Sequence, residues 1–598
     1  MKFSKRFHIP QLGLSHWHDW FRWRFTDAQR FLILCMIAGV LCGLAAVCFH
    51  VSITFVFSNI WKYMMTLDLG QFVFFMPFVP ALGGLIAGIL LYTRAPNAAG
   101  SGIPQTKVAY YRDFGIIKLK EGMYRFLLGC VFVGFGGSLG REGPTVHMCA
   151  AISSSLGQAF GLAKQRIRAM VPVGMGAGIA AAFNAPMSAI TFVFEELLGD
   201  FNSRALGGIL VAVVIAAVVE RSILGEHPAF EIDFAPHSTG LWMLVCIPLG
   251  IAAGLLGHVF VASLLKLRGG FNQLSKVPAW LKPALGGLVV GLLGTGAFLL
   301  TQEHGVFSIG YENLGLALAA KLIGKTMFFL FVAKFIATIF SYAAGGSGGL
   351  FSPVLFFGGM MGGLFGTVLK ISFDVPDNVI GGCALLGMGA FFAAIIRCPL
   401  TSILIIFEMT LDYSLILPLM AGNMIAYFLA SKLRSVPLYD ALLLQDKINL
   451  RKLPSYRGKQ DYRNLPVSTI MTYDTINVYT YMRPGENVKH VGQNLHKAYP
   501  VLDENNHFQG MLTHSELELL TKNNPEQSLQ ELIHEDKPLV SVYPEASIQL
   551  VARTLVDKEV LYAPVISRTD AGRLLGMVTL HDITRQQYET DDLVDFQT

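Results

Sequence analysis

Charge is scarce in this chain. Asp, Glu, Lys and Arg make up 15% of its residues, against about 25% in an ordinary soluble domain. Hydrophobic residues make up 53%, and the mean hydropathy is +0.51. That balance excludes a soluble globule for most of the chain and points to a bilayer. The net charge of +5 is small for 598 residues, and no basic run or aromatic-basic patch is built for phosphates, so no nucleic acid partner is expected. The eight Cys (35, 42, 48, 130, 149, 246, 383 and 398) all lie in apolar sequence and form no C-x-x-C. They read as small buried hydrophobes, with neither a zinc site nor a disulfide framework. There is no H-E-x-x-H, no Walker loop and no visible cleavable leader.

What is present begins with long stretches free of Asp, Glu, Lys and Arg: 31–61, 69–93, 234–265, 283–302, 335–369, 378–396 and 413–431. Roughly 20 apolar residues cross the hydrocarbon as a helix, and several of these suffice. Others are interrupted. Residues 335–369 carry Gly345-Gly346-Ser347-Gly348-Gly349 in their middle, and 123–198 are broken by Gly, Pro and a few charges. Broken backbone at membrane depth survives only inside protein or along a polar cavity, so these loops are expected away from lipid. Gly345 to Gly349 also fits G-x-S-x-G, but a hydrolase elbow needs a strand before it and a triad. No enzyme activity is expected.

The apolar part repeats itself. Gly136 to Pro144 aligns with Gly345 to Pro353 with five identities in nine, and 174–197 aligns with 387–410 with ten in 24. The order is the same, and the offsets are nearly equal, 345 − 136 = 209 and 387 − 174 = 213. Duplicated halves with helices interrupted at matching places are the best sequence pointer to a transporter site.

Three motifs put Gly before Pro: Gly100-Ser101-Gly102-Ile103-Pro104, Gly140-Arg141-Glu142-Gly143-Pro144 and Gly349-Leu350-Phe351-Ser352-Pro353. Gly permits the turn, and Pro suits the first turn of a helix. Each motif therefore starts a helix inside the membrane. A helix start presents unpaired N–H groups and about half a positive charge. Several starts aimed at one point hold an anion without a full counter-charge. Ser101 adds a hydroxyl donor, or alternatively only caps its helix. Glu142 lies at such a start within apolar sequence, where the dipole favours its anion and burial favours its neutral form. It reads as a gate and proton carrier in one side chain; the rival reading is an ion pair with Arg141. Glu195 and Glu196 end the first repeated helix opposite Glu408 and Met409, so Glu195 and Glu408 match while Glu196 belongs to the first half alone.

In this order the three motifs resemble the filter of the CLC chloride channels and proton-coupled chloride transporters, and Pro437-Leu438-Tyr439 resembles the family's filter tyrosine. The resemblance covers about 30–445. It implies that the hydroxyls of Ser101 and Tyr439 and the backbone N–H groups of Leu350 and Phe351 coordinate chloride. It also implies a homodimer with one pore per subunit and many tilted, re-entrant helices. Nitrate-preferring relatives resemble the first motif with Pro in the place of Ser101. An acid resembling Glu196 marks the exchangers, which makes Glu196 the expected inner proton-transfer residue; otherwise it is a solvated helix end.

After 432 the sequence turns polar. Tyr499-Pro500-Val501 followed by Gly510-Met511-Leu512-Thr513 recurs as Ala563-Pro564-Val565 followed by Gly576-Met577-Val578-Thr579. The two units resemble a CBS domain pair. Thr579 and Asp582 fit the ribose-holding pattern, whereas the first unit has Thr513 but Glu516. The tail is thus either a cap that dimerises or one that also takes an adenine nucleotide; no other cofactor is expected.

The expected fold is an all-α polytopic membrane protein with two inverted repeats and re-entrant helices, plus an α/β cytoplasmic CBS pair. The expected boundaries are an interfacial or solvated N-terminal segment 1–30, a membrane domain 31–445, a linker 446–465, CBS units 466–525 and 526–590, and a tail 591–598. The expected function is exchange of chloride for protons, with a voltage- or pH-gated passive chloride channel as the alternative. The expected place is the cell inner membrane with both termini cytoplasmic.

Overall fold

In the computed structural model the described residues are 24–199, 205–225, 230, 239–410, 415–450, 465–492, 496–532, 540–570 and 572–586. Of the expected N-terminal segment 1–30, residues 1–23 lie outside them. The chain divides into two compact units, Met1–Arg457 and Gly458–Thr598.

The first unit is helical. Its first half contains α1 Asp27–Met65, α2 Leu69–Phe75, α3 Phe78–Arg94, α4 Ile103–Tyr111, α5 Leu119–Gly134, α6 Glu142–Ala159, α7 Lys164–Phe183, α8 Pro186–Phe192 and α9 Leu206–Leu224. The second half contains α10 Thr239–Gln273, α11 Lys282–Thr301, α12 Tyr311–Leu318, α13 Gly324–Ala343, α14 Phe351–Phe373, α15 Asn378–Ile396, α16 Pro399–Thr410, α17 Ile416–Leu433 and α18 Leu438–Gln445. Among the described residues nine helices are long and apolar enough to cross a membrane. Large apolar side chains such as Phe55, Phe74, Leu244 and Phe428 stand exposed on helix faces, as a lipid-facing surface requires. The protein is thus a multi-pass membrane protein. The charge-free stretch 335–369 is split into α13 and α14 at its glycine loop, and the Pro and Gly breaks of 123–198 separate α5 to α8.

The two halves meet through reciprocal bonds. Gly140 N–H donates to the Gly349 carbonyl at 2.7 Å, and Gly349 N–H donates to the Gly140 carbonyl at 2.6 Å. The Glu195 carboxylate accepts from the N–H groups of Leu400 and Thr401 at 3.0 and 2.8 Å and from the Thr401 hydroxyl at 2.7 Å. Its counterpart Glu408 accepts from the N–H groups of Met187 and Ser188 at 2.8 and 2.7 Å and from the Ser188 hydroxyl. Each half thereby caps a short helix of the other, α16 or α8, and its acid satisfies amides left bare at a helix start. Such exchange is the signature of two repeats about a pseudo-two-fold axis. Where α14 crosses α15, Gly358 and Gly362 bring the backbones together: a Cβ on Gly358 would come within 2.6 Å of Met388 Cα. Small residues of this kind let membrane helices pack closely.

The second unit holds strands β1 Val478–Tyr479, β2 Ala498–Leu502 and β3 Phe508–Thr513 in one sheet, and β4 Tyr562–Ile566 and β5 Leu574–Thr579 in another. In each, a Pro-containing strand pairs antiparallel with the strand after it, Pro500 facing Met511 and Pro564 facing Met577. Each sheet has its own apolar core. The core around β4 and β5 takes in Val467 and Met471 from ahead of β1, with Thr472 N–H bonded to the Met577 carbonyl at 2.8 Å. Gln530 N–H, in the short helix Leu529–Leu532, in turn donates to the Thr480 carbonyl just after β1 at 3.0 Å.

Candidate anion and proton site

The glycine-proline motifs converge as their chemistry requires. Gly102, with φ of 94°, turns the chain into α4, and Pro104 stands in that helix's first turn. Glu142 is the first residue of α6, and Leu350 precedes Phe351, the first residue of α14. The N–H groups of Leu350 and Phe351 therefore have no partner in a preceding turn. A Cβ on Gly143 would overlap the Ser101 carbonyl and hydroxyl and stand 3.1 Å from Gly349 Cα. All three motifs thus meet at one point, and only Gly at 143 permits it. The Ser101 loop is fixed from behind by the buried Arg125 of α5, whose guanidinium donates to the Gly100 carbonyl at 3.1 Å.

Tyr439, near the start of α18, reaches the same point. Its hydroxyl lies beside that of Ser101. Both side chains are fully buried, and apart from each other neither hydroxyl oxygen has a hydrogen-bond partner in the protein. A buried hydroxyl without a partner is costly, and a ligand that accepts hydrogen bonds would relieve both.

Glu142 is buried, 1% exposed. Its Oε1 accepts from the Tyr311 hydroxyl at 3.1 Å and from the Ser352 hydroxyl, while Oε2 is buried with no partner. Arg141 turns away and donates to the Ala182 carbonyl at 3.0 Å. The carboxylate is therefore held by hydroxyls at the meeting point of the helices and not by its neighbouring cation.

The adjacent acids 195 and 196 part company. Glu195 spans to α16, as described. Glu196, buried in the π-turn Val193–Leu198, accepts from Lys107 Nζ at 2.8 Å. The same ammonium pairs with Asp440 at 2.6 Å, and Asp440 follows Tyr439 in α18. Cys398 Sγ lies 3.7 Å from Glu196 Oε2. A wider helical turn that aims a side chain inward is a recurrent feature of functional sites. Lys107, Arg125, Tyr311 and Asp440 have no signal in a single sequence beyond being polar residues within or beside apolar stretches. Ser347 of the G-x-S-x-G string lies between helices, its hydroxyl 3.5 Å from the Ala98 carbonyl, without the strand an elbow needs.

In the second unit Thr579 caps the helix that follows it: its N–H and hydroxyl donate to Asp582 Oδ2 at 2.8 and 2.7 Å, and Asp582 N–H returns to the Thr579 hydroxyl at 3.1 Å. Thr513 and Glu516 form the same closed pair, at 2.9, 2.9 and 3.2 Å. Both motifs are capping boxes first.

Residues 83–431 match the family described as voltage gated chloride channel. The chain belongs to the CLC family. Residues 530–589 match the CBS domain. This CLC protein is 32% identical over 380 residues to a protein of Ralstonia nicotianae named as a ClcB-like chloride channel protein, covering 63% of this chain and 87% of the relative. It is 30% identical over 422 residues to the H(+)/Cl(-) exchange transporter ClcA of Salmonella agona, covering 69% of this chain and 88% of that one. It also resembles the crystal structure of a slow cyanobacterial Cl-/H+ antiporter, with a TM-score of 0.64, 25% identity, and coverage of 71% of this chain and 98% of that chain.

Proposed function

We propose that this CLC protein is a secondary transporter that exchanges chloride for protons across a membrane. The observation that carries the proposal is the pair of buried hydroxyls of Ser101 and Tyr439, with no protein partner but each other, beside helix starts that also bear the buried carboxylate of Glu142. In this reading chloride is held by those hydroxyls and by the N–H groups of Leu350 and Phe351. The ionised Glu142 occupies the neighbouring part of the same path and leaves it when protonated. Glu196 passes protons between the inner face and Glu142, its carboxylate oriented by Lys107. The exchange activities named for the Salmonella relative and the cyanobacterial antiporter support the reading.

The name of the Ralstonia relative favours a second reading, a passive chloride pore on the same fold. Proton movement separates the two. Full-length protein in liposomes under an outward chloride gradient should drive protons uphill and change external pH. Glu142→Ala should keep chloride flux and lose the pH change. Chloride flux with no uphill proton movement in the unmodified protein would establish the pore instead.

We further propose a homodimer in the cell inner membrane, with both termini cytoplasmic, a membrane domain over 31–445 and a CBS pair over 466–590 in which the leading segment, Val467 to Thr472, packs with the later unit. The tail takes an adenine nucleotide, with Asp582 meeting the ribose; the helix cap engages Oδ2 of that carboxylate, so the ribose would have to share it.

A further inference from the structure

Glu142 shares its end of the path with two hydroxyls to which the motifs assign no role, that of Ser352 within the third motif and that of Tyr311 outside them. Ser352 Oγ donates to Glu142 Oε1, the Tyr311 hydroxyl lies 3.1 Å from the same oxygen, and the two hydroxyl oxygens are 2.9 Å apart. We infer that Ser352 and Tyr311 form an outer clamp that holds the ionised Glu142 in its seat and thereby limits how fast the anion path opens. This deepens the exchange reading and rests on it.

Three observations carry the inference. First, the two hydroxyls supply two protons, and Glu142 Oε1 is the acceptor both can reach. The other carboxylate oxygen has no partner, so the clamp is the side-chain anchorage of Glu142. Second, the pair repeats the chemistry of the inner seat, one serine and one tyrosine hydroxyl, but through residues of the second half. Ser352 falls at the repeat position of Gly143 (143 + 209 = 352), where the first half has no room for a side chain beside Ser101. Third, Tyr311 is mounted firmly. Gly310, with φ of 84°, starts α12 immediately before it, and its ring packs edge-on to Phe230 at 5.7 Å. The loop leading to it is tied down by the buried Lys334, whose ammonium donates to the carbonyls of Gly305 and Ser308 at 2.8 and 3.0 Å.

Hydrogen bonds to an ionised acceptor are roughly twice as strong as neutral ones. The clamp therefore grips the carboxylate and loosens on the carboxylic acid, so that Glu142 is released when it takes a proton. The charged groups in reach are Arg141, bonded to the Ala182 carbonyl, and Glu220 of α9 beyond it.

The test is chloride efflux from liposomes carrying the full-length protein, comparing Tyr311→Phe and Ser352→Ala in two backgrounds, unmodified and Glu142→Gln. Loss of one charge-assisted bond should raise turnover about tenfold when Glu142 is present. With Glu142→Gln, which offers only a neutral acceptor and so a bond about half as strong, either substitution should change turnover about threefold or less. A hydroxyl that merely supports the fold would shift both backgrounds alike. Equal change in both, or unchanged or slower turnover with Glu142 intact, overturns the clamp. No flux in any variant overturns the exchange reading and the clamp with it.

Discussion

At the scale of single residues the site divides labour among groups that look alike in sequence. Glu195 and Glu196 are neighbours, yet one caps α16 and the other faces Lys107. Glu196→Val should therefore leave chloride flux in place and abolish proton flux, read by parallel chloride and pH electrodes on liposomes. Undiminished proton pumping by this variant would sink the assignment. Ser101→Pro removes a hydroxyl donor while keeping a residue suited to a helix start; it should raise the nitrate-to-chloride flux ratio several-fold. Ser101, Glu142 and Tyr439 were legible because a Gly–Pro helix start, or a tyrosine in a recognised motif, announces them locally. Lys107 was not, because its partner Asp440 is 333 positions away. Tyr311 was not, because it lies 169 positions from Glu142. Pairing across such distances is decided by packing, which a single sequence does not display.

At the scale of elements the fold is built on helices that stop and start in the membrane. The charge-free stretches and their Gly and Pro breaks announced these elements, and the repeat announced that they come in matched pairs. The sequence carried no sign of how the pairs interlock, since the acid that caps α8 stands on α16 and the acid that caps α16 stands in the turn after α8. Glu408→Ala strips the acceptor from two N–H groups and a hydroxyl. A buried donor left bare costs about 1–3 kcal/mol, so the purified protein should melt several degrees lower in a thermal scan. Glu408→Gln, which keeps one acceptor oxygen, should recover part of the loss. A melting point unchanged by Glu408→Ala would show that the exchanged caps contribute nothing to joining the halves.

At the scale of the whole molecule, composition alone separated an apolar part from a polar tail, and the tail's internal repeat was visible in its Pro-Val and Gly-Met strings. The interleaving of the two tail units was not, because Val467 and Met471 join a core whose other members start at Val542. If the tail binds an adenine nucleotide, ATP should raise the melting point of the full-length protein by a few degrees, and Asp582→Ala should remove that shift. An equal shift in both would locate the nucleotide elsewhere. The central claim is a halide seat beneath a removable carboxylate, and anomalous diffraction from crystals grown in bromide tests it most directly. The account predicts a bromide peak within about 3.5 Å of both the Ser101 and Tyr439 hydroxyls, and a second peak near Ser352 once Glu142 is replaced by Gln. Bromide absent from the space between Ser101 and Tyr439 in both proteins would contradict it.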